Sequence, residues 1–111
     1  MTELQRRALD ALRSGRYRKQ HGFLRMGGLG KQMCVGGVLC DVSSLGTWHL
    51  NDYVVGRSRC RKFMPLAVAA AFGLSPSQAT EITKMNDGHQ VPERTLAQIA
   101  DHLESLWGGT K

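Results

Sequence analysis

Three cysteines, Cys34, Cys40 and Cys60, and four histidines, His21, His49, His89 and His102, carry the strongest nucleophilic and metal-ligating chemistry in this sequence. A structural zinc site draws four ligands from close-spaced pairs. Here five residues separate Cys34 from Cys40 and the histidines are scattered, so no metal site is expected. Cys34 falls where a helix is expected to begin, a position that lowers a thiol pKa, and beside a histidine it would make a cysteine-dependent enzyme. No spacing brings a base to it. No catalytic residue is therefore assigned, the chain is read as a non-enzyme, and Cys40, which follows Val38 and Leu39, reads as a small buried hydrophobe.

The glycine-rich segment Gly27-Gly28-Leu29-Gly30-Lys31 invites a phosphate-loop reading that its spacing refuses. A P-loop needs glycine five residues before Gly30 and Ser or Thr after Lys31, and those positions hold Arg25 and Gln32. Nor does Gly28-Leu29-Gly30 continue to a third glycine, because position 33 is Met33. A flexible turn remains, whose backbone N–H groups beside Arg25 and Lys31 suit an anion contact. No cofactor is expected.

Charge is the next signal. The chain carries 15 Lys and Arg against 9 Asp and Glu, a net charge of +6, which favours acidic partners. Residues 1–62 hold twelve of the basic and four of the acidic side chains, so the positive charge belongs to the N-terminal half. The segment from Gly46 to Phe63 has no helical period and combines Trp48 and Tyr53 with Arg57, Arg59, Arg61 and Lys62. It reads as a long loop, with a strand at Tyr53 to Val55. Long loops on small domains are common binding sites, so Trp48, Tyr53, Arg57, Arg59, Arg61 and Lys62 are the expected partner-binding residues.

The elements that must position these groups follow from periodicity. Leu4, Ala8, Ala11 and Leu12 mark a first helix from about Thr2 to Arg13, with Glu3–Arg7 and Arg6–Asp10 as expected ion pairs. Phe23 to Met26 and Gln32 to Val35 read as the strands of a hairpin. Val38, Leu39, Val42 and Leu45 place a short buried helix at residues 36–45, whose glycines admit close packing. Pro65 opens a helix closed by Gly73, and Ser75 caps the next one, which ends at Asn86-Asp87-Gly88. A last helix starts near Pro92 and carries Leu96, Ile99, Ala100, Leu103, Leu106 and Trp107 on one stripe. The expected fold is mainly α with a small β-hairpin (α+β), a single compact domain of about five helices over residues 1–107, with 108–111 a flexible tail.

The composition is that of a globular protein, 41% hydrophobic and 22% charged. The longest apolar run, Leu66 to Phe72, is far short of the roughly 20 residues of a bilayer span. Thr2-Glu3-Leu4-Gln5-Arg6-Arg7 is charged where a signal peptide is apolar, and the cysteine number is odd. Reduced thiols and a cytoplasmic location are expected.

Four segments together resemble a family of small uncharacterised bacteriophage and prophage proteins. They are Ala11-Leu12-Arg13-Ser14-Gly15-Arg16-Tyr17; the box Cys34-Val35-Gly36-Gly37-Val38-Leu39-Cys40-Asp41; Met64-Pro65-Leu66-Ala67-Val68 with Gly73-Leu74; and Met85-Asn86-Asp87-Gly88 with Ile99-Ala100-Asp101. Departures from the family pattern fall at Val35, Gly36 and Phe72. The resemblance implies a phage origin more than a mechanism, and with it a bacterial host cell.

The C-terminal half also resembles a repressor-type helix-turn-helix, through Ala69, Gly73, Leu74, Ser75 and Ile82. That likeness implies DNA contact by Ser77, Gln78, Glu81 and Lys84. A recognition helix should be basic, but residues 76–87 carry Lys84 against Glu81 and Asp87. The preferred expectation is a non-enzymatic protein that docks on a host protein through its basic surface and inhibits host machinery or a defence system. A DNA-binding regulator is the alternative and a cysteine-dependent enzyme the second alternative. Nonspecific nucleic-acid binding is compatible with the charge, and no membrane association is expected.

Overall fold

A computed structural model describes residues 1–27 and 30–108. The first helix, α1 (Glu3–Arg13), begins at a reciprocal cap. Thr2 Oγ1 accepts from the Gln5 backbone N–H at 3.0 Å, and Gln5 Oε1 accepts from the Thr2 N–H at 2.8 Å. The same Ser/Thr-x-x-Gln device opens two later helices, α4 (Pro76–Asp87) through Ser75 and Gln78 and α5 (Leu96–Gly108) through Thr95 and Gln98. The Thr95 cap explains why α5 starts at Leu96 rather than near Pro92. The helix then runs to Gly108, and residues 109–111 of the expected tail lie outside the described residues.

Helix α1 buries Ala8, Leu9, Ala11 and Leu12 and packs on α2 (Val35–Ser43) and α5. Its C-terminal Arg13 forks to Asp101 and Glu104 of α5, both at 2.7 Å. Arg6 pairs loosely with Glu3 at 3.9 Å, so the expected Arg6–Asp10 and Glu3–Arg7 pairs are not formed. Helix α2 is the central element, buried from Val35 to Cys40. It ends at Ser44, whose φ of +56° breaks the helix, and Leu45, expected on its apolar face, is 48% exposed. The close packing expected of its glycines falls on Gly37. A Cβ there would lie 1.9 Å from the Leu24 carbonyl oxygen, so only glycine fits.

Two three-stranded sheets flank the helices. In the first, β1 (Arg18–Lys19), β2 (Arg25–Met26) and β3 (Gln32–Met33) are ordered β1-β3-β2. The expected hairpin is the antiparallel β2–β3 pair, with Arg25 opposite Met33, and β1 adds to its other side in parallel. Residues 28 and 29 of its turn lie outside the described residues.

The second sheet replaces the loop expected over residues 46–63. It is an antiparallel meander of β4 (Thr47–His49), β5 (Asp52–Val55) and β6 (Ser58–Cys60). The strand expected at Tyr53 to Val55 is β5, whereas β4 and β6 are too short and too polar for alternation to reveal them. Specific bonds hold their register instead: Arg59 and Arg61 of the β6 arm both reach Asp52 of β5 at 2.7 Å. The Leu24 N–H donates to the Arg61 carbonyl at 2.7 Å and ties the two sheets together.

Helix α3 (Leu66–Ala71) and α4 close the far side of α2. Gly73, at φ +72°, turns the chain between them. The five helices and two sheets form one globule of 40 × 27 × 25 Å around Leu24, Val38, Leu39, Phe72, Ile82, Ile99 and Leu103.

Candidate functional site

Two of the expected partner-binding residues are bonded within the fold, Tyr53 internally and Trp48 in part. Tyr53 is 1% exposed, and its hydroxyl accepts from the Gly46 N–H at 2.7 Å beside Ser43 Oγ at 3.4 Å. Trp48 is half-buried. Its indole N–H donates to Asp41 Oδ1 at 3.1 Å, its ring meets Tyr53 edge-on at 4.8 Å, and the Arg25 guanidinium lies 4.5 Å from the ring centroid. Both aromatics therefore fasten the meander to α2.

Asp41 is the centre of that joint. Besides Trp48 it accepts from the Tyr17 hydroxyl at 2.6 Å and from Lys31 Nζ at 3.0 Å. Burial alone would raise its carboxyl, but these three donors outweigh burial and hold it below the ordinary carboxylate range. Burial and the Asp41 contact in turn push the Tyr17 hydroxyl up. Arg25, expected beside an anion at the glycine turn, is instead 8% exposed and donates to the Leu50 carbonyl. Burial pulls its guanidinium pKa down.

The cysteines are set against nucleophilic use. Burial pushes the Cys34 thiol up to about 11, against the opposing pull of backbone N–H groups at the start of α2, and Cys40 is wholly buried and pushed higher. Among the described residues no three His, Cys, Asp or Glu side chains converge on a metal-sized site.

The remaining question is which cations are spent on folding. Lys19 donates to the carbonyls of Asn86 and Arg94 at 3.0 and 2.9 Å and pairs with Glu93. Arg13 pairs across to α5, Lys31 with Asp41, and Arg59 and Arg61 with Asp52. Those two arginines bring the Asp52 carboxyl down to about 2. Among the described residues, no carboxylate lies within 4.0 Å of Arg7, Arg16, Arg18, Arg57 or Lys62.

Sequence reasoning missed the apolar part of the surface. Phe63 and Leu66 are 65% and 71% exposed. They stand at the mouth of a cavity of about 150 Å³ between α3 and α4, lined further by Met64, Ala69, Ala79 and Thr83. Both follow directly on the Arg57-to-Lys62 run. The only cue was Phe63 itself, an aromatic one residue past the basic segment and outside any helical stripe.

On α4, Ser77 and Glu81 face solvent and Lys84 is half-buried, while the Gln78 side chain is held in the helix cap. Glu81, an acidic group on the outward face, opposes phosphate approach. Comparisons with protein-family models, curated proteins and solved structures find no match to this chain.

Proposed function

We propose that this chain is a non-enzymatic binding protein that docks on an acidic protein of a bacterial host and thereby inhibits it. The observation that carries this reading is the exposure of Phe63 and Leu66, which follow the exposed basic run Arg57, Arg59, Arg61 and Lys62 in the chain. An apolar centre rimmed by charge is the anatomy of a protein interface, and large side chains seated in pockets dominate its binding energy. Arg57 and Lys62 carry charge that no carboxylate among the described residues neutralises, and such rim charges steer association with an acidic surface. The resemblance of four sequence segments to those of small phage proteins supports a host component as the partner.

Affinity capture from nuclease-treated bacterial lysate tests the reading. The wild-type chain retains a discrete acidic protein, and the Phe63→Ser, Leu66→Ser double variant loses it while keeping its melting temperature. Retention of the same protein by the double variant contradicts the proposal.

DNA readout by α4 is the second reading, supported by the Gly73 turn between α3 and α4. It requires that Lys84→Ala abolish preference for one duplex over another.

A further inference from the structure

The unpaired arginines of the N-terminal half converge on a different surface. Arg7 and Arg16 line a groove of about 390 Å³ with Asp10, Ala11 and Val42. Arg16 continues into a second groove of about 310 Å³ with Arg18, Gly30, Lys31 and Gln32. The two grooves share Arg16 and so form one path across α1, the α1–β1 connection and β3, with no residue in common with the Phe63–Leu66 cavity. β1 and β3 hold the path in shape: the Arg18 N–H donates to the Lys31 carbonyl at 2.9 Å, and Arg18 lies opposite Gln32.

We infer that this path binds the phosphate backbone of nucleic acid, without reading base sequence. Three features point to phosphate rather than to a protein surface. Arg7, Arg16 and Arg18 are exposed and unpaired, and the guanidinium fork matches phosphate oxygens in a bidentate manner. Among the described residues, the two grooves are lined mainly by charged and polar groups, with no exposed large apolar side chain. Gly30 leaves its backbone open where a side chain would stand, with no atom closer to a Cβ than 4.0 Å. Asp10 is the one free carboxylate on the path, at its Arg7 end. Lys31 is partly neutralised by Asp41, so three arginines carry the contact and Lys31 assists. No aromatic ring is among the described residues that line the path, and its contacts are guanidinium groups suited to phosphates, which is why affinity should be indifferent to sequence.

Fluorescence anisotropy with a labelled mixed-sequence DNA duplex of about 20 base pairs tests this directly. Neutralising three to four phosphates predicts an affinity that falls about 40- to 150-fold between about 50 and 200 mM salt. The Arg7→Glu, Arg16→Glu, Arg18→Glu variant should bind at least about tenfold more weakly and lose most of that salt dependence. Its folding is checked by its melting temperature, since among the described residues no ion pair holds any of the three head groups. The Arg57→Glu, Lys62→Glu variant serves as the control and should bind like the wild type. Undiminished binding by the triple variant overturns the inference, as does an equal loss in the control or a strong preference for one duplex sequence. These outcomes are independent of protein capture through Phe63 and Leu66, so the two readings fail separately.

Discussion

The side-chain oxygen of Asn86, a fully buried residue of α4, accepts from the backbone N–H of Val35 at 3.0 Å and so caps α2 from a neighbouring helix. Cys34, the residue at the cap position, makes no side-chain cap bond. The Asn86 amide meanwhile donates to the Gln20 carbonyl at 2.9 Å, and its own carbonyl accepts from Lys19. One side chain thus joins α4, the start of α2 and the end of β1. Asn86→Ala leaves a buried N–H and a buried carbonyl without partners and should lower stability by about 2–4 kcal/mol. Urea denaturation measures it, and a loss below about 1 kcal/mol would show that water replaces these bonds.

Gly37→Ala should be at least as damaging, because the added methyl meets the Leu24 carbonyl at 1.9 Å and backbone must move. Gly36→Ala is the comparison. There the nearest atom is the tip of the Leu24 side chain at 3.0 Å, which can rotate. Thermal unfolding should rank Gly37→Ala well below Gly36→Ala, and equal melting temperatures would contradict the close approach.

Acid should unfold the meander through Asp52. Its folded carboxyl titrates at about 2, held there by Arg61 and Arg59, against about 4 in an unfolded chain. Between those values the unfolded state binds more protons, so the stabilisation is complete above about pH 4 and is lost as pH falls toward 2. Asp41, also held low, adds to the same window. Asp52→Asn should flatten the dependence of stability on pH there, measured by urea midpoints from pH 5 to pH 2. An unchanged slope would mean that the pairs to Arg59 and Arg61 do not persist in solution.

Thiol chemistry should rank by burial. Burial pushes all three thiols up in pKa, but Cys60 is half-buried whereas Cys34 and Cys40 are buried. One cysteine, Cys60, should react with a thiol reagent in the native protein, and Cys34 and Cys40 only on unfolding. Peptide mapping identifies the labelled residue. Prompt labelling of Cys34 would restore the case for a reactive thiol. Cys40→Ala should lower stability by about 1 kcal/mol or more by removing buried volume.

The helices were legible because their signals are local. Leu4, Ala8 and Leu12, the Ser75 cap and the Leu96-to-Leu103 stripe act within one or two turns. The hairpin at β2–β3 was legible for the same reason. Of the meander only its central strand was legible, at Tyr53 to Val55, since the rest depends on Asp52 reaching Arg59 and Arg61 and on Tyr53 reaching Gly46, contacts that composition does not encode. Hence the same basic and aromatic residues that read as a free loop divide in the fold. Tyr53 turns inward and Trp48 partly so, Arg59 and Arg61 are partly spent on Asp52, and among the described residues Arg57 and Lys62 have no carboxylate partner, Lys62 lying 5.7 Å from the Phe23 ring centroid. Reversing Arg59 and Arg61 therefore disturbs folding, and Arg57 and Lys62 are the cleaner probes of docking.

A photo-crosslinking residue placed at position 63, with a second copy at position 102 as control, tests the docking surface most directly. In nuclease-treated host lysate, position 63 should give one discrete protein adduct that weakens with added salt, and His102 on α5 should give none. The same adducts from both positions, or none from position 63, would contradict the proposal that Phe63 and Leu66 seat a host protein.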